Sequence, residues 1–339
     1  MTTVLVTGVG GLASQNIIRC AKQAGHKVIG TDVNALAAGL YRSDKGYLVS
    51  RSWNQYIEDL QRICRKEHVE VLVPGSDVEL PILSKNEHLF DEMGVCVIIG
   101  THESIMIARD KFETQEFLRR KGFPFIRSYL PEDLDKCIDE VGFPFVIKPR
   151  SGYGAAHFYV VKNTEEARVL ISYIRRDGWE PLLQEYIQTD SEYTTGVHIA
   201  RDGDILGSVS AWRRLKRGIT VEAIIDDFPQ VREHSEKVAV SLETKGPLNF
   251  QSKFTNGKCL IFEINARFSG TTSIRSTAGV NGVEVLIRNF LYGEKIRLEP
   301  KKIVTTLYSE YLSLSAEEYS RLLWARETEK CGRICESWW

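Results

Sequence analysis

The chain lacks an excess of charge of either sign. Its 339 residues carry 44 Lys and Arg against 45 Asp and Glu, a formal net charge of -1. No global field exists to hold nucleic acid or an anionic membrane surface. No apolar run approaches the ~20 residues a bilayer span needs. The N-terminus passes straight into an apolar strand without a basic leader. The reading therefore expects no nucleic-acid partner, no membrane association and no signal peptide. Paired cysteines are missing as well. The 7 cysteines are odd in number and scattered. Only Cys331 and Cys335 lie close together, and without a nearby His they make no zinc pattern. Such thiols predict a reduced, cytoplasmic protein. Internal repeats, low-complexity tracts, metal-spaced histidines and Ser/His/Asp or Cys/His sets are absent too.

What remains is an ordinary globular composition long enough for two or three cores. Residues 1–105 alternate strand and helix. TVLVT (3–7), KVIGTD (27–32), VEVLVPG (69–75) and VCVIIG (95–100) read as strands, with helices between them, including 78–90. That pattern means a parallel α/β sheet. HESIMIARDKFETQEFLRRKG (102–122) reads as one helix, opening a small α+β unit over 106–187. This unit contains FPFVIKP (143–149), HFYVV (157–161), the helix TEEARVLISYIRR and PLLQEYI (181–187). Residues 188–299 favour hairpins, with turns at Asp202-Gly203 and Asn256-Gly257 between alternating strands. Residues 300–339 read as an added strand and helix.

Four stretches carry chemistry. TGVGGLASQNIIR (7–19) with Asp32 fits a dinucleotide fingerprint: the glycines permit a tight turn, and a helix N-terminus meets phosphate. On its own it leaves NAD open. In NFQSKFTNGKCLIFEINAR (249–267), strand alternation puts Glu263 and Asn265 on one face, with Gln251 across the hairpin and Arg267 continuing the face. One carboxylate, two amide oxygens and a guanidinium converge, and hard oxygens suit Mg²⁺ shared with nucleotide phosphates. The surrounding Phe250, Phe254, Leu260, Ile261, Phe262 and Ile264 are expected to be core. The third stretch, KPRSGYGA, sets Lys148 at a strand end before the glycine turn with Gly152 and Gly154, a phosphate-cradling pattern. In the fourth, QEYI (184–187), a strand edge offers backbone groups to a purine, and Glu192 stands seven residues after Glu185 for ribose hydroxyls. Of the basic run AWRRLKRG, Arg213 and Arg214 fit either a carboxylate clamp or a solvated strand, with Lys216 and Arg217 read as solvated. Ser269, Thr271, Thr272 and Arg275 follow the metal face as candidate acceptor residues.

Taken together, Lys111 in RDKFETQEFLRRKGFP, Lys148, QEYIQTDSE and NFQ…FEINARFSG resemble the ATP-grasp superfamily over residues 1–295. The N-terminal half of the carbamoyl-phosphate synthetase large subunit is the nearest likeness. Ala266 stands where the family's E-x-N-P-R has proline. The resemblance implies an N-terminal Rossmann-like parallel-sheet domain, a small glycine-loop lid and a C-terminal antiparallel-sheet domain. It implies that Lys111 and Lys148 contact ATP phosphates, that Glu185, Tyr186 and Ile187 meet adenine, and that Glu192 meets ribose. Gln251, Glu263 and Asn265 would hold one or two Mg²⁺, for which Mn²⁺ substitutes, and Arg267 the transferring phosphoryl group. The Gly10–Gly11 loop would lie beside the substrate rather than NAD. The implied activity is ATP-dependent carboxylate–amine ligation through an acyl phosphate, on small-molecule carboxylate and amine substrates, in a possible homodimer. Because the unit occurs once here, a stand-alone ligase is expected rather than carbamoyl-phosphate synthesis. The rival readings are an NAD(P)-dependent oxidoreductase built on the first domain and a non-catalytic nucleotide-binding protein.

Overall fold

The computed structural model describes residues 1–152, 157–216, 218–306, 312–313, 316–329 and 333–334. The first strand, β1 (Thr3–Val6), is apolar and buried, and glycines carry the chain into α1 (Leu12–Gln23). Gly8 turns with φ +58, a left-handed value that glycine adopts without steric cost. Next come β2 (Lys27–Asp32), α2 (Ala38–Arg42), β3 (Lys45–Leu48), α3 (Trp53–Glu67), β4 (Val71–Val73), α4 (Leu80–Lys85), α5 (Glu87–Asp91) and β5 (Cys96–Val97). The parallel order is β3-β2-β1-β4-β5. The sequence reading lacked α2 and β3, which are too short to show a period. It also ran α4 and α5 together, but the chain breaks at Asn86, whose side chain bonds back to the Ile82 carbonyl.

The helix expected over 102–122 is likewise two, α6 (His102–Arg109) and α7 (Lys111–Arg120). Asp110 separates them because its carboxylate caps α7, accepting from the N–H groups of Phe112 and Glu113. The small unit holds β6 (Ser128–Tyr129), α8 (Leu134–Val141), β7 (Phe145–Pro149), β8 (Tyr159–Val161), α9 (Thr164–Arg176) and β9 (Pro181–Glu185). Its antiparallel sheet runs β6-β9-β7-β8. Ala167, Ile171 and Ile174 form the buried stripe of α9 and cover this sheet with Phe145, Ile147 and Leu183. Tyr186 and Ile187 lie beyond the end of β9, outside the strand expected to include them.

The large sheet is built from β10 (Glu192–Ile199), β11 (Ile205–Lys216), β12 (Ile219–Ile225), β13 (Gly246–Thr255), β14 (Lys258–Asn265) and β15 (Ile303–Thr306), in the order β14-β13-β10-β11-β12-β15. Both expected hairpin turns form. Asn256 and Gly257 take φ +49 and +71, positive at both central positions as the strand twist favours. Helices α10 (Pro229–Ser241), α11 (Thr272–Thr277) and α12 (Gly282–Tyr292) pack around the sheet. The buried face of α10 is Val231, Ser235, Val238 and Ala239, a small-residue stripe the sequence reading passed over.

After β16 (Leu312–Ser313) and α13 (Ala316–Ala325), β17 (Glu327–Glu329) returns antiparallel to β3, and β18 (Arg333–Ile334) pairs with β16. In this last segment β15 and β17 each add an edge strand to one of the two larger sheets, while β16 and β18 form a separate two-stranded sheet. Cys331 and Cys335 lie outside the described residues.

The parallel and large sheets share their cores: Leu5, Ile29 and Leu72 join one buried cluster with Val197, Phe250 and Ile261. Asn16 donates to the Gly270 carbonyl at 2.8 Å, Asn281 to the Cys20 carbonyl at 2.8 Å, and His26 bonds Glu284. Among the described residues no helix is long and apolar enough to cross a membrane.

Candidate active site

The β13–β14 hairpin places Gln251 opposite Glu263 and Asn249 opposite Asn265. Glu263 Oε1 accepts from Gln251 Nε2 at 2.9 Å and from Asn265 Nδ2 at 3.0 Å. Two cations extend this group. Arg213, from β11, donates to Gln251 Oε1 at 2.7 Å and to Glu192 Oε1 at 2.8 Å. Arg267 donates to Asn265 Oδ1 at 3.3 Å, to the Phe268 carbonyl at 2.8 Å and to Asp77 in the loop between β4 and α4. A continuous polar ladder therefore runs Glu192–Arg213–Gln251–Glu263–Asn265–Arg267–Asp77. Each charge has a neighbour that opposes or solvates it, which keeps a half-buried polar face stable. Asp77 was not foreseen, since nothing near it in sequence marks a partner 190 residues away.

The expected core beside this face is corrected in part. Phe250, Ile261 and Ile264 are buried, but Phe254, Leu260 and Phe262 are only half-buried. The pairing shifts register between Gln251 and Ser252. A bulge of this kind adds an unpaired residue and turns side chains off the strict alternation. It leaves Phe262 on the site side, with Lys148 Nζ 5.6 Å from its ring centroid.

Lys148, at the end of β7, is buried, and its ammonium is pushed down to about 7 by burial and by Lys111, with Glu263 opposing. Lys111 opens α7 and donates to the Gly152 carbonyl at 3.2 Å. It is held there because its N–H bonds the Arg150 carbonyl at 3.0 Å and Asp110 bridges Ser151. Gly152 has φ +118 and lies on the Trp179 ring, which a Cβ would meet at 2.7 Å. Gly154 lies outside the described residues. Glu185 ends β9 with its carboxylate on Arg127 at 3.0 Å. The Ile187 carbonyl, one residue past Tyr186, accepts from Lys253 Nζ at 2.9 Å. Lys253 was missed, although it stands two residues after Gln251 on the same face.

The basic run divides by strand alternation. Arg213 points in and is buried, whereas Arg214 points out, is exposed and pairs with Glu222. Arg217 lies outside the described residues. Arg275, on α11, is buried beneath the face and bonds Asn249, Thr194 and Ser269 at 2.9, 3.1 and 3.1 Å. Among the described residues it has no carboxylate partner and its Nε is unbonded, and burial beside Arg213 pulls it down to about 9. Gly196 makes the room, since a Cβ there would lie 2.6 Å from the guanidinium. Arg275 therefore supports the ladder's polar neighbours from behind.

The ladder forms one wall of a cleft of about 1350 Å³; the facing wall is built from the loops after β1 to β4. Gly10 and Gly11 line it at the β1/β4 switch point, where open α/β sheets bind ligands. The fingerprint acid does not read a ribose here. Asp32 Oδ2 accepts the Gly10 N–H at 2.7 Å and Oδ1 that of Asn34 at 2.8 Å, so the donor a pyrophosphate would use is taken. Glu79, unforeseen, is buried nearby and accepts from Thr7 at 2.6 Å, from the N–H groups of Gly75 and Ser76, and from the Tyr56 hydroxyl. Its carboxyl is pushed up by burial. Lys111 and Lys148 are not among the residues lining this cleft.

Among the described residues no three His, Cys, Asp or Glu group to hold a metal. Gln251, Glu263 and Asn265 supply one carboxylate and two amides, a donor set that fits Mg²⁺ only when phosphate oxygens complete its shell. Lys148, buried beside them and without an ion pair among the described residues, fits the same phosphates.

Comparison with known proteins agrees with this geometry. Residues 4–98 match the family model described as PylC-like, N-terminal domain, and residues 180–310 match ATP-grasp in the biosynthetic pathway with Ter operon. The carbamoyl phosphate synthase large chain of Thermotoga petrophila is 25% identical over 289 residues, covering 77% of this chain and 26% of that protein. The chain thus spans about a quarter of the length of such relatives. The phosphoribosylamine–glycine ligase of Pyrococcus horikoshii is 25% identical over 304 residues, covering 80% and 68%. Among solved structures, the ADP complex of N5-carboxyaminoimidazole synthetase from Staphylococcus aureus superposes with TM-score 0.70 at 16% identity, covering 96% of this chain and 85% of that one. Biotin carboxylase from Campylobacter jejuni, in complex with a β,γ-ATP ligand, gives TM-score 0.70 at 17% identity, covering 88% and 72%. Residues 180–310 thus match an ATP-grasp domain, behind a parallel-sheet domain that matches the PylC-like N-terminal model, and the chain is homologous to ligases of the carbamoyl phosphate synthase and phosphoribosylamine–glycine ligase kind.

Proposed function

We propose that the protein is an ATP-dependent carboxylate–amine ligase that works through an acyl phosphate. The observation that carries this reading is the ladder itself: Gln251, Glu263 and Asn265 line a large cleft, and the buried Lys148 stands close by, over the Phe262 ring of the same hairpin. Lys111 and Lys148 bind the ATP phosphates, together with Gly152 and Gly154. The hinge at Glu185–Ile187 takes the adenine, and Glu192, fixed by Arg213, takes the ribose. Gln251, Glu263 and Asn265 hold Mg²⁺, one ion or two, with Mn²⁺ as a substitute. The metal supplies charge neutralisation between nucleotide and acceptor.

The physical difficulty is that a carboxylate must approach a polyanion. Arg267 faces the transferred phosphoryl group and Arg213 lies beside it, so charge developing there meets fixed cations in a half-buried site. Phosphoryl transfer to the substrate carboxylate gives the acyl phosphate. An amine entering from the cleft then forms the C–N bond as the C–O bond to phosphate breaks. The carboxylate and amine sit between Arg213 on one wall and the Gly10–Gly11 loop on the other, while Arg275, buried beneath the face, supports that wall without reaching the cleft. Arg214, turned outward, has no part. The reading places the enzyme in a reducing cytoplasm, in keeping with its buried free thiols, and as a homodimer.

The test is ADP release with Mg²⁺–ATP across paired panels of small carboxylates and amines, with a parallel thermal melt. Mg²⁺–ATP at 100 times its Kd should stabilise the fold by ~2.7 kcal/mol. NADH and NADPH should leave the melt unchanged. A shift with a nicotinamide cofactor alone would overturn the reading.

A further inference from the structure

The cleft has an apolar side that the ladder does not use. Leu12, Val33, Trp53 and Val78 are exposed, and they line the cleft from the segments that follow β1, β2, β3 and β4 in turn. Apolar side chains scattered singly over a surface need no explanation, but four gathered on one concave wall mark a binding surface. Tyr56 joins two of them. The Trp53 ring meets it edge-on with centroids 5.7 Å apart, and the Tyr56 hydroxyl bonds Glu79, the residue after Val78. Leu12 lies at Gly270 on the facing wall, where a Cβ would come within 2.9 Å of its side chain.

The same wall carries uncompensated positive charge. Arg51, two residues before Trp53, is exposed and lines the cleft, and among the described residues no carboxylate pairs with it. The acids of this wall are already taken, Asp32 by loop N–H groups and Glu79 by hydroxyls and N–H groups. A small polar amine would leave Trp53 and Val78 facing water, and an amine without an anion would leave Arg51 unpaired. One common class of amine carries both complements, an apolar side chain and a carboxylate on the carbon that bears the nitrogen. We propose that the amine substrate is an α-amino acid with a large apolar side chain. Its side chain packs on Trp53, its carboxylate meets Arg51, and its nitrogen is turned toward the ladder. Arginine suits the second contact because its planar fork matches a carboxylate. The inference rests on the ligase reading above and names its acceptor.

The test is titration calorimetry on the full chain saturated with Mg²⁺–ADP, using L-phenylalanine, glycine and phenethylamine. Phenylalanine should bind at least about tenfold more tightly than glycine, which lacks the side chain, and than phenethylamine, which lacks the carboxylate. Trp53→Ala should abolish the preference over glycine, and Trp53→Phe should keep most of it. Arg51→Met should abolish the preference over phenethylamine and keep that over glycine. If Trp53→Ala does not fold, Val78→Ser should cut the preference over glycine instead. Phenylalanine binding no more tightly than glycine, or a preference that survives Trp53→Ala, would overturn the proposal. Equal losses of phenylalanine and Mg²⁺–ADP in Trp53→Ala would make the residue merely structural and overturn it too. A wild type that binds Mg²⁺–ADP but none of the three amines would also sink the proposal, whereas one that binds no Mg²⁺–ADP brings down the ligase reading itself.

Discussion

On the parallel-sheet wall of the cleft, carboxylates are consumed by the fold. Asp32 bonds two loop N–H groups, and Glu79 bonds two hydroxyls and two N–H groups. On the antiparallel wall, Glu263 is held, among the described residues, by the amides of Gln251 and Asn265, and Glu192 by Arg213, while Arg267 reaches across to Asp77 on the facing loop. A backbone N–H is fixed in space, so a carboxylate that binds several becomes part of the frame. Side-chain amides and guanidiniums can be re-aimed by a ligand. The first wall therefore shapes a cavity, and the second can exchange partners during chemistry.

Substitutions on the two walls should separate activity from stability. The largest effect is expected for Glu263→Gln, which keeps shape and removes the charge that draws Mg²⁺. ADP release should fall on the order of 10²–10³-fold while the denaturant midpoint stays near wild type. Glu79→Ala should do the reverse in kind. It strands three buried donors and one half-buried one, so urea unfolding should show a loss of about 3 kcal/mol or more, with Mg²⁺–ADP affinity in the surviving folded protein unchanged. If Glu79→Ala left stability intact, the division between the walls would be wrong.

Smaller effects sharpen the same contrast through protons. The Lys148 ammonium, pushed down to about 7 by burial and Lys111, is mostly neutral at pH 8. Phosphates brought beside it favour the charged form. Mg²⁺–ATP binding at pH 8 should therefore take up a proton, seen as a binding enthalpy that changes with buffer ionisation enthalpy. The uptake should be absent at pH 6 and in Lys148→Met.

The scaffold has its own titrating group in Glu67, on the outer side of the parallel sheet. Burial raises its carboxyl, but hydrogen bonds from Tyr47, Lys27 and Lys45 outweigh that and hold it at about 2. A depressed carboxylate contributes stability above its unfolded value, and this is lost as pH falls through the folded one. Melting temperature should therefore drop between about pH 4.5 and 2, less steeply in Glu67→Gln, with nucleotide binding at pH 7 unaffected.

Alternation and turn chemistry in the sequence were enough to bring Gln251, Glu263 and Asn265 together. An Asn-Gly turn sets hairpin register within a few residues, and register decides which side chains share a face. The same local logic placed Lys148 at a strand end and predicted a parallel sheet from alternating short strands and helices. Packing decided the rest. Nothing local told Arg213 from Arg214 until a neighbouring strand defined the inner face. The Asp32 carboxylate fills its own glycine loop only once β1 and β2 lie side by side, whereas the Asp110 cap that splits one helix into two and the bulge that frees Phe262 are local features the sequence reading passed over. Asp77 on Arg267 and Lys253 on Ile187 join segments far apart in the chain, so their partners follow from how the sheets pack. Spacing along a chain specifies contacts within a hairpin or a helical turn; contacts between elements exist only once burial of the shared core has fixed their separation.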